Sequence, residues 1–155
     1  MLCLVSANLG MKVADAGGGF GVRGEFYPED FLVPFIAREL NRPVKWIEDR
    51  REHFIATNHS REMTCDLEIA CDRDGTIVGL RGEVVVDVGA YARGTGGTSP
   101  SRAAQFLPGP YRIPNYACKI NAHVSNKTPA GTYRGPGRIE ANFFRERLID
   151  MMVGS

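Results

Sequence analysis

The sequence predicts an α+β fold, in which a mixed β-sheet is built around a central antiparallel hairpin and helices pack on it. Apolar residues occupy the odd positions of Met63–Cys71, and this period of two is typical of a strand with one buried face. Asp74-Gly75 supplies a turn, after which Ile77–Asp87 shows a similar alternation, so the two segments predict a β-hairpin. Helical and strand patterns mix elsewhere without the βαβ rhythm of a parallel sheet. The length of 155 residues predicts a single domain, 1–155.

The first third of the chain contains a glycine-rich loop and a helix. Met11–Ala16 is predicted to form a short strand that leads into the loop Gly17–Gly24. A helix is predicted over about Pro28–Leu40, because acidic residues occupy its first turn and apolar residues follow at helical spacing. Pro34 lies inside that pattern, so we expect a kinked first turn or a later start. Val44–Ile47 is predicted as a buried strand.

The second half of the chain completes the sheet and its helical layer. We expect a short helix after the glycine-rich Gly94–Gly97, a strand near Tyr116–Val124 and a closing amphipathic helix over Ile139–Met152. On the hairpin, Cys65 and Cys71 are expected to face the core, where a free cysteine behaves as a small hydrophobe.

Composition excludes several classes of protein. The net charge is +1 and no basic stripe is present, which argues against a nucleic-acid binder. No apolar run approaches the ~18 residues that a membrane span needs. The four cysteines form no CxxC pair and no metal-type spacing with the three histidines, so we expect no metal ligands. Without a recognisable signal peptide, we expect a cytoplasmic protein with free thiols. His53, His59 and His123 have no hydrogen-bonding or ligand partner at a suitable sequence spacing, so we expect satisfied structural or surface histidines.

Glycine is in excess, at 18 residues, and part of this excess lies in Gly17–Gly21. Backbone N–H groups without side-chain bulk suit an anionic or oxo-bearing ligand, although a tight turn explains the same run equally well. Gly19–Gly24 also satisfies G-x-G-x-x-G, which keeps an NAD-binding Rossmann-like module as an alternative. Against that alternative, the predicted helix starts only at Pro28, and a hairpin follows instead of further βα units.

Two other loops each have a functional and a simpler structural interpretation. Arg134–Arg138 places two arginines among small residues, which suggests a clamp for an anion or a carbonyl, while a solvated turn is the simpler interpretation. Asp72–Gly75 resembles part of a calcium loop. Two of the four ligand positions there, Ala70 and Arg81, carry no suitable oxygen, so we predict a plain turn.

Six sequence blocks, in order and spacing, together resemble one known family. The chain resembles the molybdopterin-binding large subunit of the molybdenum hydroxylases, which include xanthine dehydrogenase, aldehyde oxidase and aerobic carbon monoxide dehydrogenase. The resemblance extends from about Met11 to Asp150. The blocks are GGGFG at Gly17–Gly21, YPED at Tyr27–Asp30, RPVKWIEDRREHF at Arg42–Phe54, DVGAYA at Asp87–Ala92, GPYRIPNY at Gly109–Tyr116, and NKTPAGTYRGPGR with ERLID over Asn126–Asp150.

The resemblance implies a cofactor, partners and a site. The family oxidises an aldehyde, an N-heterocycle or carbon monoxide with water, using molybdopterin, here expected in its cytosine dinucleotide form. FAD and [2Fe–2S] clusters would lie on partner subunits or domains. By resemblance, the backbone of the loop lies against the molybdenum centre, and Arg134 orients substrate and stabilises developing charge. This segment supplies no metal ligand. The residues that the resemblance assigns to the cofactor are Gly18, Gly19, Phe20, Gly21 and Gly135.

Two departures from the family pattern bear on the substrate. Gly24 stands where xanthine-type enzymes carry a glutamate, and Gly135 stands where the copper-containing carbon monoxide enzymes carry a cysteine. Aldehydes and N-heterocycles are therefore the expected substrate classes. The family's subunit is several times longer and its general-base glutamate lies in a region absent here. We therefore expect a fragment that needs the remainder of the large subunit and is inactive alone, with a non-catalytic interaction domain as a further alternative.

Overall fold

The structure is a computed structural model that describes residue 10 and residues 15–154. Most of the predicted strand Met11–Ala16 lies outside the described residues. The described part contains a 3-10 turn at Val22–Gly24, four helices and three strands. The helices are α1 (Pro28–Leu40), α2 (Arg50–Ala56), α3 (Thr98–Phe106) and α4 (Arg138–Val153), and the strands are β1 (Met63–Cys71), β2 (Ile77–Asp87) and β3 (Tyr116–His123).

The three described strands form one mixed sheet in the order β1-β2-β3. β1 and β2 form the predicted antiparallel hairpin, with Met63 opposite Val86. β3 runs parallel to β2, with Leu80 opposite Tyr116. A parallel neighbour requires a crossover connection, and α3 supplies it. The α+β class, the mixed sheet and the central hairpin are thus confirmed.

The core lies between the sheet and a layer formed by α3 and α4. Leu80 of β2, Leu107 after α3 and Ala141 of α4 form a buried cluster. Partly buried apolar residues of β1 and α4, including Leu67 and Leu148, pack against it. Burial of this apolar surface is the dominant stabilising contribution to such a fold.

Several predictions for individual elements need correction. Val44–Ile47 forms no strand, and Ile47 is 70% exposed, because nothing in the described chain pairs with this segment. The helix α2 was not predicted, although Asp49 and Glu52 form a capping box at its start. The helix α1 starts at Pro28 and continues past Pro34. Within residues 15–154, no helix is long and apolar enough to cross a membrane.

The cysteine prediction is correct for one residue of the pair. Cys65 is half-buried, and burial raises the pKa of its thiol to about 12. Cys71 is exposed, because the register shifts between Ala70 and Cys71 at the end of the hairpin. Such an irregularity changes the direction of the side chains that follow it. Cys65, Cys71 and Cys118 are all free, as predicted.

Candidate functional site

The glycine loop (Gly17–Gly21) and the arginine loop (Thr128–Arg138) lie in direct contact. The backbone N–H of Arg134 donates to the Phe20 carbonyl oxygen at 2.8 Å. The Thr132 hydroxyl donates to the Gly21 carbonyl oxygen at 3.0 Å. The Arg134 guanidinium carbon lies 5.5 Å from the centre of the Phe20 ring. Two loops that the sequence singled out separately therefore form one site.

The glycine loop has a backbone conformation that requires glycine. Gly18 and Gly21 have φ angles of 140° and 91°, which residues with a side chain rarely adopt. A Cβ atom at Gly21 would lie 2.9 Å from the Thr132 carbonyl oxygen, so the close approach of the two loops also depends on this glycine. Phe20 has a φ of 49°, an unfavourable value for a residue with a side chain.

The outer surface of the glycine loop presents free backbone donors. Gly17–Phe20 are exposed, and a Cβ atom at Gly17 would meet nothing within 4 Å. Among residues 15–154, none accepts a hydrogen bond from the N–H groups of Gly18, Gly19 or Phe20. These groups can donate to an anionic or oxo-bearing ligand without displacing any contact among those residues.

Arg134 is exposed and Gly135 is half-buried, at the end of the arginine loop that leads into α4. No residue of the described chain forms an ion pair with Arg134, so its five N–H donors are available to a ligand. Gly135 has a φ of 72°, and its carbonyl oxygen accepts a hydrogen bond from the Arg138 N–H at 3.1 Å. This turn leads directly into α4 and anchors the loop at that end.

A buried polar network connects the arginine loop to the turn that follows the glycine loop, and no pattern in the sequence indicated it. The Asn58 amide donates to the Thr132 carbonyl oxygen at 3.0 Å, and its Oδ1 contacts the Tyr27 hydroxyl. That hydroxyl also lies 2.8 Å from the Val22 carbonyl oxygen. Burial raises the pKa of Tyr27, so the hydroxyl stays protonated and can donate. Buried donors and acceptors paired in this way rigidify the structure around them.

A second polar connection runs through Thr95. The Thr132 N–H donates to the Thr95 hydroxyl oxygen at 3.1 Å. The Thr95 N–H donates to Glu25 Oε1 at 3.0 Å, and the Thr95 hydroxyl contacts the same carboxylate oxygen. Thr132 is therefore the residue at which the contacts from Gly21, Asn58 and Thr95 meet.

The histidines and the acidic turn are not part of this site. His53 Nδ1 lies 2.7 Å from Glu48 Oε2, and His59 Nε2 lies 2.9 Å from the Phe54 carbonyl oxygen. The rings of His53 and His59 thus have partners, as predicted for satisfied structural histidines, and His123 is an exposed side chain whose Nε2 lies 3.9 Å from Asp87 Oδ2. Asp72–Gly75 forms the predicted turn. Within the described residues, no group of three or more His, Cys, Asp or Glu side chains could hold a metal ion.

Comparison with known proteins identifies the family of this chain. Residues 1–153 match the family model of the molybdopterin cofactor-binding domain. The chain belongs to this family. It is 44% identical over 97% of its length to the 6-hydroxypseudooxynicotine dehydrogenase complex subunit gamma of Paenarthrobacter nicotinovorans. It is 38% identical over 90% of its length to the carbon monoxide dehydrogenase large chain of Hydrogenophaga pseudoflava. The chain spans 19% and 18% of the length of these two relatives.

Solved structures show the same fold. Quinoline 2-oxidoreductase from Pseudomonas putida 86 superimposes with a TM-score of 0.82 at 36% identity, over 88% of this chain and 18% of that chain. No comparison favours the Rossmann alternative, and the glycine loop continues into a 3-10 turn rather than directly into a helix. The end of the glycine loop therefore does not form the helix N-terminus on which dinucleotide binding depends.

The residues of the site fit a molybdopterin cofactor. The free N–H groups of Gly18, Gly19 and Phe20 match the oxo and phosphate oxygens that such a group carries. Beyond its chain neighbours, no residue among 15–154 lies within 4 Å of a Cβ atom built at Gly17, so the described chain does not cover the loop there.

Proposed function

We propose that this chain forms one wall of the active site of a molybdenum hydroxylase, which oxidises a small carbonyl or N-heterocyclic substrate with water. The observation that carries the proposal is the direct contact between the glycine loop and the arginine loop. It brings free backbone donors and an unpaired guanidinium together, and both suit the charge that develops in such a reaction.

Each site residue has a proposed role. The backbone of Gly18, Gly19, Phe20 and Gly21 binds the cofactor's oxygen groups, with Gly135 beside it. When bound, the cofactor supplies the redox chemistry, and its cytosine dinucleotide form is the one we propose. Arg134 is the proposed catalytic residue. Its guanidinium binds the substrate and stabilises negative charge that accumulates on it in the transition state.

N-heterocycles are the substrate class that we favour. Relatives of this chain carry the names 6-hydroxypseudooxynicotine dehydrogenase, nicotine 6-hydroxylase and quinoline 2-oxidoreductase. Phe20 and Tyr133 are 51% and 47% exposed. Phe20 accepts the backbone hydrogen bond that joins the two loops, and Tyr133 directly precedes its donor, Arg134. Exposed aromatic faces suit a flat aromatic substrate, which stacks or packs edge-to-face on them.

The chain is proposed to work inside a larger cytoplasmic assembly. The partners would be the remainder of the large subunit together with FAD and iron–sulfur subunits, and residues 1–155 would form one domain. Neither α1 nor α2 contains a buried residue, although both carry large apolar side chains. Exposed apolar surface of this kind is typical of a surface that binds another protein. The name of one relative, a complex subunit gamma, also supports an assembly.

The decisive experiment uses the protein isolated from its source cell. Intact mass, molybdenum and pterin are measured on one sample, and oxidation of a quinoline or pyridine substrate is followed with a redox dye. We expect stoichiometric molybdenum and pterin in a longer chain or complex. A free 155-residue chain without either would contradict the proposal and favour a non-catalytic interaction domain. Full turnover by the isolated chain would contradict the proposal that it forms one wall of an active site completed by the rest of the enzyme.

The role of Arg134 is tested by Arg134→Gln in the same holoenzyme. Removing one positioned donor of this kind lowers kcat by about 100- to 1,000-fold in other enzymes, and we expect a loss of that order. Molybdenum content should stay unchanged, because the cofactor contacts are backbone groups. The matched control is Arg73→Gln in the exposed turn of the hairpin, which should leave turnover unchanged. Unchanged turnover in Arg134→Gln would contradict a catalytic role for Arg134.

A further inference from the structure

We infer that Arg61, together with Glu140, is a positioning residue that fixes the arginine loop and thereby the Arg134 guanidinium. The inference rests on the proposed function, since it concerns the orientation of the proposed catalytic side chain, Arg134. Arg61 lies in the connection between α2 and β1 and belongs to none of the sequence blocks that carry the family resemblance.

Arg61 contacts the backbone of the catalytic position directly. Its Nη2 donates to the Arg134 carbonyl oxygen at 2.7 Å and lies 3.4 Å from the Tyr133 carbonyl oxygen. Its guanidinium carbon lies 5.4 Å from the centre of the Tyr133 ring. A charged donor makes a stronger hydrogen bond than a neutral one, and a planar guanidinium holds two neighbouring carbonyls in a fixed geometry.

Arg61 is itself held by a buried carboxylate. Its Nη1 lies 3.3 Å from Glu140 Oε1, and the Glu140 side chain is only 5% exposed. Glu140 belongs to the first turn of α4, where the helix dipole favours a negative charge. Its other oxygen, Oε2, is buried and has no hydrogen-bond partner among the described residues. Because a buried charge without a counterion is strongly unfavourable, the pair depends on both members.

The backbone of Arg61 is strained in a way that supports a specific role. Its φ angle is 76°, a value that is unfavourable for a residue with a Cβ atom. Such conformations persist only where the surrounding contacts enforce them, and they concentrate at functional sites. Here the enforcing contacts are those to Glu140 and to the arginine loop.

The segment Asn58–Arg61 extends these contacts along the arginine loop. The His59 N–H donates to the Pro129 carbonyl oxygen at 3.1 Å, and the Gly131 N–H donates to the His59 carbonyl oxygen at 2.8 Å. Together with the Asn58 contact to Thr132, they secure the loop before Tyr133. At Arg134 the N–H is held by the Phe20 carbonyl oxygen. Among the described residues, the carbonyl oxygens of Tyr133 and Arg134 are contacted only by the Arg61 guanidinium, so this side chain controls the orientation of the exposed end.

Loss of this contact should lower catalysis even where the fold persists. Without Arg61, the Arg134 carbonyl oxygen loses its hydrogen bond, while Phe20 still holds the Arg134 N–H and the Asn58 and Thr95 contacts still hold Thr132. The Arg134 guanidinium would then sample several positions over the substrate. Small misplacements of a catalytic group can lower the rate by about 100-fold.

The experiment uses the molybdenum-loaded holoenzyme with the variants Arg61→Gly, Arg61→Lys and Arg134→Gln. Glycine accommodates a φ of 76° without strain, so Arg61→Gly removes the guanidinium while preserving the backbone. We expect kcat to fall at least about tenfold in both Arg61 variants, with KM changed less. Molybdenum content should match the parent. Arg61→Gly should unfold at a lower temperature, because Glu140 loses its counterion, so kcat is measured well below that temperature and compared with Arg61→Lys, which keeps the charge. Arg73→Gln serves as the control that removes one surface charge.

A double variant separates positioning from a merely structural role. If Arg61 acts through Arg134, then Arg61→Gly adds little to the loss already caused by Arg134→Gln. Multiplicative losses would overturn the inference, as would unchanged kcat in Arg61→Gly, or activity lost only in step with unfolding. Failure of the proposed function is distinct, because the parent protein would then contain no molybdenum at all.

Discussion

Thr132 connects the two loops of the site through different atoms. Its hydroxyl donates to Gly21, its N–H donates to Thr95, and its carbonyl oxygen accepts from Asn58. Each of these bonds is part-buried or buried, so loss of any partner leaves a polar group without its bond. The geometry of the site thus depends on one residue whose own side chain need not touch substrate.

Gly21→Ala should separate the loops. A Cβ atom there would lie 2.9 Å from the Thr132 carbonyl oxygen, and the φ of 91° is strained for alanine. We expect the free energy of unfolding to fall by about 1–3 kcal/mol, with reduced molybdenum content in the holoenzyme. Gly24→Ala is the matched control, because a Cβ atom there would meet nothing within 4 Å. Equal effects in both variants, measured by chemical denaturation, would contradict this account.

The glycine loop shows how far the sequence predicts the site. The run GGGFG indicated free backbone donors, because glycine alone leaves the backbone so accessible. The contacts of Tyr27, Asn58 and Arg61 could not be predicted, since each of these side chains reaches residues at least 31 positions away in the sequence, apart from the Tyr27 contact to Val22.

Period-two patterns predicted the hairpin, because its pairing is local. Val44–Ile47 has the composition of a strand but no strand beside it in the described chain, and composition alone does not show whether a partner exists.

At the scale of elements, the connection after β2 depends on a carboxylate. The Asp87 side chain is 8% exposed and accepts hydrogen bonds from the Gly89 N–H and the Ser125 hydroxyl, both at 2.9 Å. The Lys127 ammonium lies 3.4 Å away. The bonds from Gly89 and Ser125, aided by Lys127, hold the pKa of Asp87 below its usual range. The end of β2 is thereby joined to the loop that follows β3.

This carboxylate predicts a pH dependence of stability. Because the pKa of Asp87 is lowered by folding, its contribution is fully present above the unfolded pKa of about 4 and is lost as pH falls through the folded value. Asp87→Asn should therefore be less stable than the parent at pH 6, and the difference should shrink as pH falls toward 2. Urea denaturation at several pH values measures it. Asp66→Asn, at an exposed position of β1, is the control, and a difference independent of pH would contradict the prediction.

For the whole molecule, the two halves of the described chain are stabilised differently. The sheet, α3 and α4 share a buried core, whereas α1 and α2 contain no buried residue. Helices in water gain most of their stability from packing an apolar face against something else. The first half exposes such faces to solvent, with side chains between 38% and 72% exposed at Phe26, Phe31, Leu32, Ile36, Leu40, Trp46, Ile47, Phe54 and Ile55.

If that surface binds the rest of the enzyme, its substitution should affect assembly and not the fold. Ile47→Glu and Ile55→Glu change side chains that are 70% and 66% exposed. We expect them to reduce aggregation of the isolated chain in light scattering, while its free energy of unfolding changes by no more than about ±0.5 kcal/mol, the range of surface substitutions. In the source cell the same changes should lower recovery of the complex. Thr64→Glu, on the exposed face of β1, is the control. Normal assembly of both variants would mean that this surface faces solvent in the enzyme, and another surface would then have to join the chain to its partners.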